Sequence, residues 1–185
     1  MATAIETRFT PEDLLGMPDE GRFELIDGQL VERNMGAKSS RVATKLLLFV
    51  GNFAEQAKRG IVFQADCGFQ IFPDDPNRVR YADCSFVRTG RLPGDKPPDG
   101  HCRVAPDLVV EAVSPNDTAH ELEAKVQEWL RAGVRLVWVA YPDTHSVHVF
   151  RADGTTAWLR ADDELTGDDV LPGFKCRVSE VFQGL

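Results

Sequence analysis

The chain has 185 residues, 43% of them hydrophobic and 27% charged, enough for one globular domain with a substantial core. No run approaches the roughly 20 apolar residues that span a membrane, and residues 1–10 lack the basic and apolar regions of a secretory signal, so a cytoplasmic location is expected. The formal charge of −8 argues against a protein that coats polyanions through bulk charge.

Thr10-Pro11-Glu12-Asp13 predicts a short helix, with Thr at the N-cap, Pro at the first position and acids in the first turn. Residues 22–32 predict a β-hairpin, because Asp27-Gly28 is a strong two-residue turn signal. Val42, Leu46, Phe49, Val50 and Phe53 recur at helical spacing and predict a helix over 39–58, stopped by Gly60. Strands are expected near 61–72 and 81–87, joined by a Pro/Asp/Asn-rich turn at 73–78.

Residues 89–104 read as a surface loop rich in Gly and Pro. The run 107–113 reads as a strand covered on both faces, bounded by Pro106 and Pro115. A helix over 119–131, capped near Asn116 to Thr118 and ended by Gly133, leads to a buried strand at 136–140. These three pieces form a right-handed crossover. Residues 147–151 and 156–159 predict a second hairpin around Asp153-Gly154, and the tail near 171–174 reads as a cap on the core. The expected class is α/β, with helices on a mixed central sheet and added β-hairpins, in a single domain over 1–185.

The four cysteines, Cys67, Cys84, Cys102 and Cys176, form no C-x-x-C pair. They fit reduced, partly buried thiols better than disulfides or a zinc site. Acids crowd the C-terminal third at Asp162, Asp163, Glu164, Asp168 and Asp169. Basic residues are denser earlier, at Lys38, Arg41, Lys45, Lys58, Arg59, Arg78, Arg80, Arg88 and Arg91. They read either as a local basic rim or as an ordinary solvated surface.

The strand at 107–113 carries two carboxylates, Asp107 and Glu111, where carboxylates need a compensating charge, hydrogen bond or metal. Alternation puts both on one face, but about 13 Å apart along the strand, too far to grip one ion together. An acid on a neighbouring strand, about 5 Å away, suits Glu111 better. Asp83, interrupting the strand-like run Arg80 to Val87, is the natural candidate. Two such carboxylates make a hard, oxygen-rich site for Mg²⁺ or Mn²⁺.

Lys125 borders the apolar stripe of Leu122, Val126 and Trp129, so it can reach the sheet or snorkel to water. Glu24, ahead of the Asp27-Gly28 turn, is either a further polar group of the site or a solvent-facing hairpin acid. Asp107, after Pro106, is either a site acid or a cap for a nearby turn.

Five pieces in order resemble the Uma2 family, also called DUF820. They are Phe23-Glu24-Leu25-Ile26-Asp27-Gly28, Tyr81-Ala82-Asp83, the run Pro106 to Pro115, Lys125, and the run Gly133 to Val139. The family is assigned to the PD-(D/E)XK nuclease superfamily, whose members resemble restriction endonucleases. The resemblance implies a restriction endonuclease-like core of helix, three-stranded meander, helix and strand. It implies that Asp83 and Glu111 stand for the metal-binding acids, that Glu24 matches an auxiliary glutamate, and that Lys125 is the site lysine, moved from the strand position held here by Val113 to the following helix. Two departures are visible: Ser40-Arg41 stands where many members carry His, and Ala82 where the pattern favours Pro.

The expected function is therefore a Mg²⁺-dependent endonuclease that hydrolyses DNA phosphodiester bonds, with Glu24, Asp83, Asp107, Glu111 and Lys125 as site residues. The resemblance implies a 5′-phosphate product. In this expectation Glu24 holds a second ion or a water of the first, and Lys125 orients the attacking water. The alternatives are a catalytically inactive nuclease fold that binds DNA or protein, and a metal-free structural dimer. A homodimer suits a nuclease that cuts both strands.

Overall fold

The computed structural model describes residues 8–33 and 36–185. The first helix, α1 (Pro11–Leu15), is capped as its sequence predicts, with Thr10 and Asp13 exchanging hydrogen bonds of 2.8 and 3.1 Å. The hairpin β1 (Phe23–Ile26) and β2 (Gln29–Glu32) turns through Asp27 and Gly28, with φ of 51° and 79°. Two successive positive φ values define the tight turn that Asp-Gly favours. The long helix α2 (Ala37–Gln56) buries Val42, Leu46, Val50 and Ala54, a stripe of spacing four.

The chain continues through β3 (Gly60–Gln64), β4 (Gly68–Phe69), β5 (Arg80–Tyr81), β6 (Cys84–Arg88) and β7 (Leu108–Ala112). The helix α3 (Ala119–Arg131) follows, then β8 (Leu136–Tyr141), β9 (Ser146–Arg151), β10 (Thr156–Leu159), β11 (Glu164–Thr166), β12 (Lys175–Arg177) and α4 (Val178–Val181). Six strands form the central sheet in the order β10-β9-β8-β7-β6-β3. The pair β7 and β8 is parallel, joined across α3, and the other neighbours are antiparallel. Helix α2, the meander β3-β6-β7, helix α3 and strand β8 reproduce the expected core and place the chain in the α/β class with a mixed sheet.

Alternation on β7 divides the core. Leu108, Val110 and Ala112 pack with α2 and the C-terminal tail, while Val109 packs with Val126 and Trp129 of α3. Glu111 shares the parity of Val109 and so faces α3. No helix among the described residues is long and apolar enough to cross a membrane.

The structure differs from expectation in two places. The strands expected at 61–72 and 81–87 are each broken, and Asp83 sits at the bend between β5 and β6 rather than inside a strand. Strand β5 leaves the central sheet to pair with β4, which accounts for the break. The tail caps the core, as expected, but does so with a hairpin of β11 and β12 followed by α4. Leu165, Leu171, Phe174 and Val178 bury that hairpin against the α2 face.

Candidate active site

Three segments meet at the end of the sheet where β7 finishes. Cys84 pairs with Val110, and the same antiparallel register brings Asp83 opposite Glu111. The bend is pinned on both sides: the Asp83 amide donates to the Val110 carbonyl at 3.1 Å, and the Ala112 amide donates to Asp83 Oδ2 at 2.7 Å. The β1-β2 hairpin is tied in by Leu25 and Val79, which exchange two backbone hydrogen bonds of 2.9 Å. That bridge sets Glu24 beside Tyr81, whose amide donates to Glu24 Oε1 at 3.2 Å.

Lys125 comes down from α3 into this junction. Its Nζ lies 3.0 Å from Glu111 Oε2 and 3.2 Å from Glu24 Oε1, and donates to the Tyr81 carbonyl at 3.2 Å. Glu111 Oε1 accepts a 2.8 Å hydrogen bond from the Trp129 indole, one turn further along α3. Glu24 Oε2 is held by Arg80 at 2.7 Å, and Arg80 in turn pairs with Glu128. Glu24, Arg33, Arg80, Asp83, Glu111 and Lys125 all line one cleft of about 300 Å³.

One ammonium serves too many carboxylates here. Burial pushes Glu111 up to about 7, Lys125 opposes that rise, and the charges of Asp83 and Glu24 add to it. Burial also raises Asp83, against Lys125, the Ala112 hydrogen bond and Arg33. Glu24 goes the other way: burial alone would raise it, but Lys125, Arg80 and the Tyr81 amide outweigh that and hold it at about 2. Burial would discharge Lys125, and the surrounding acids instead raise its pKa, so it stays an ammonium at neutral pH. The cleft thus sets three acids, Glu24, Asp83 and Glu111, against Lys125, Arg80 and Arg33, and burial penalises the ionised form of each acid.

The structure brings Glu24, Asp83, Glu111 and Lys125 to one cleft and places Asp107 elsewhere. Asp107 lies at the opposite end of β7, fully buried, with Arg88 at 3.0 Å and Arg91 at 2.9 Å. It also accepts from the Arg88 amide at 2.9 Å. Asp107 is thus corrected from site acid to ion-paired anchor, because four residues along a strand separate it from Glu111 by about 13 Å. Five of the nine basic residues that read as a rim are paired with acids. Arg78 and Arg80 turn inward to Glu128, Arg88 and Arg91 turn to Asp107, and Lys38 pairs with Asp143 at 2.9 Å.

Sequence reading missed Arg33, Arg80, Glu128 and the polar role of Trp129. A usable signal exists for Glu128, which follows Lys125 by three residues and so shares its side of α3. Among the described residues, no three His, Cys, Asp or Glu side chains stand as a ready-made metal cage. All four cysteines are free.

A mixed α/β sheet thus presents acids and a lysine in one cleft at the end of its meander. Residues 11–179 match Uma2, described as "putative restriction endonuclease", and the chain belongs to that family. Among solved structures, the chain resembles a "putative nuclease belonging to DUF820" from Anabaena variabilis. The two superpose with a TM-score of 0.74 at 18% identity, over 94% of this chain and 97% of that one, a likeness of fold. No curated protein sequence matches the chain.

Proposed function

We propose that the chain is a divalent-cation-dependent endonuclease that hydrolyses phosphodiester bonds of DNA. The observation that carries the reading is the position of Lys125 Nζ, 3.0 Å from Glu111 and 3.2 Å from Glu24, in the cleft that Asp83 also lines. Membership of a family described as "putative restriction endonuclease" supports the same activity.

The residues fit Mg²⁺ or Mn²⁺. Both Asp83 and Glu111 supply hard oxygen donors, and burial, the main cause that raises the pKa of each, is a penalty on the carboxylate that a bound cation would offset. Two carboxylates rather than a full protein cage suit an ion that retains several waters. When bound, such an ion acidifies a water and neutralises charge on a phosphoryl oxygen. We assign Asp83 and Glu111 as its ligands.

The remaining residues have separable tasks. Lys125, held as an ammonium, is a donor to the phosphate and to the attacking water, and not a base. Glu24 is paired with two cations, Arg80 and Lys125, and also accepts from the Tyr81 amide, so its charge is already offset and it positions the lysine. Trp129 fixes the rotamer of Glu111 from above.

The test is cleavage of plasmid DNA with Mg²⁺ or Mn²⁺, alongside calorimetric titration of the ion. Wild type should nick or cut and bind the ion; Glu111→Ala and Asp83→Ala should each lose cleavage by about 100-fold or more. Full cleavage by Glu111→Ala would overturn the assignment. A second reading, an inactive nuclease fold that docks on DNA, draws on Lys125, whose Nζ is already engaged by Glu111, Glu24 and the Tyr81 carbonyl. Ion-dependent DNA binding with no cleavage in either metal would establish it.

A further inference from the structure

Arg33, just after β2, belongs to no acid–lysine pattern, yet its side chain is only 8% exposed and lines the cleft. One edge of the guanidinium is anchored: Nη1 donates to the carbonyls of Gly21 at 2.7 Å and Ala65 at 2.9 Å. Its plane is supported by the Tyr81 ring, with the guanidinium carbon 5.2 Å from the centroid. The other edge points at the acids. Nη2 stands 3.6 Å from Asp83 Oδ1, beyond hydrogen-bond length, and has no acceptor at bonding distance among the described residues.

The other cations of the cleft floor are engaged. Arg80 is held between Glu24 and Glu128, and Lys125 is divided between Glu111 and Glu24. A strut between Gly21 and Ala65 would need only the Nη1 edge. Burying a guanidinium is costly, and the Nη1 bonds together with the Asp83 charge at 3.6 Å offset that cost only in part, which leaves the Nη2 edge for a ligand oxygen.

We propose, resting on the endonuclease reading, that Arg33 receives a non-bridging oxygen of the DNA phosphate that sits beside Asp83. A planar fork with one edge fixed and one edge presented suits a phosphate oxygen better than a mobile ammonium does. Arg33 and Lys125 then hold the phosphate from the Asp83 side and the Glu111 side. The site becomes able to accept a polyanion although its lining is rich in acids.

The test is binding of a labelled duplex by fluorescence anisotropy with Ca²⁺ in place of Mg²⁺, across a salt series, with the duplex checked intact on a gel. Arg33→Met should raise Kd about tenfold and reduce the slope of log affinity against log salt by about 0.9, the loss of one phosphate contact. Arg33→Lys keeps the charge and loses the fork; it should retain the wild-type slope while Kd rises severalfold. Thermal unfolding of each variant gives the folded fraction used to correct Kd.

An unchanged slope in Arg33→Met, or an unchanged Kd in Arg33→Lys, overturns the role of Arg33 while wild-type cleavage leaves the endonuclease reading standing. Tighter Ca²⁺ binding by Arg33→Met with no change in slope also overturns it, showing Arg33 to be a counter-charge for Asp83. Wild-type protein that binds no duplex with any divalent ion overturns both.

Discussion

Trp129 donates its indole hydrogen to Glu111 Oε1 at 2.8 Å, from the stripe of α3 that also buries Val126. The indole is fully buried, edge-on to Phe69 at 5.9 Å and tilted on Phe72 at 5.3 Å. Packing thus fixes the ring, and the ring fixes the carboxylate, leaving Oε2 turned to Lys125.

Trp129→Phe keeps an aromatic ring against Phe69 and Phe72, removes the donor and leaves a small cavity where the larger indole was. A buried carboxylate oxygen then lacks a partner, at a cost of about 1–3 kcal/mol. Urea unfolding should show a lower midpoint with an unchanged slope. In the cleavage assay kcat should fall more than KM changes, because a loosened Glu111 affects the reacting geometry and not the groove. A variant equal to wild type in both measurements would show the indole contact to be idle.

Asp107 gives the opposite pattern. It pairs with Arg88 and Arg91 at the far end of β7, joining that strand to the turn after β6. Asp107→Ala removes charged hydrogen bonds from a fully buried acceptor, at about 2–3 kcal/mol. For a chain of this length the melting temperature should drop by roughly 5–10 °C. Ion binding by the folded variant should match wild type, since Asp107 is no part of the cleft. Loss of ion binding in a variant shown to be folded would return Asp107 to the site.

The two acids of β7 show what a sequence reveals and where it stops. Local periodicity carries the strand, the shared face of Asp107 and Glu111, and the distance between them, because each follows from a two-residue repeat. It also carries the helix of Lys125 and the hairpin of Glu24. What neutralises each acid is set by the tertiary fold. Arg80 reaches Glu24 across 56 residues of chain, and Arg88 reaches Asp107 across 19. The bend at Asp83 is hidden for the same reason. It arises because β5 abandons the central sheet for β4, a choice made by pairing between distant segments. The tail hairpin of β11 and β12 is masked by strands of three residues each, too short to show alternation.

Glu24 supplies a test in pH. Its carboxyl is held at about 2 in the folded chain, against an ordinary value of 4.5. On acidification the unfolded chain therefore takes up this proton first. The stabilisation from ionised Glu24 is complete above the ordinary value and is lost as pH falls towards about 2. Its size is on the order of 3 kcal/mol, from a separation of about two and a half units. Glu24→Gln cannot titrate, so the difference in unfolding free energy between wild type and variant tracks this group at acid pH, below the range in which Glu111 titrates. That difference should shrink steadily between about pH 4.5 and 2. A difference that stays flat to pH 2 would mean that Arg80 and Lys125 do not hold Glu24 ionised. Lys125 would then be positioned by Glu111 and the Tyr81 carbonyl alone.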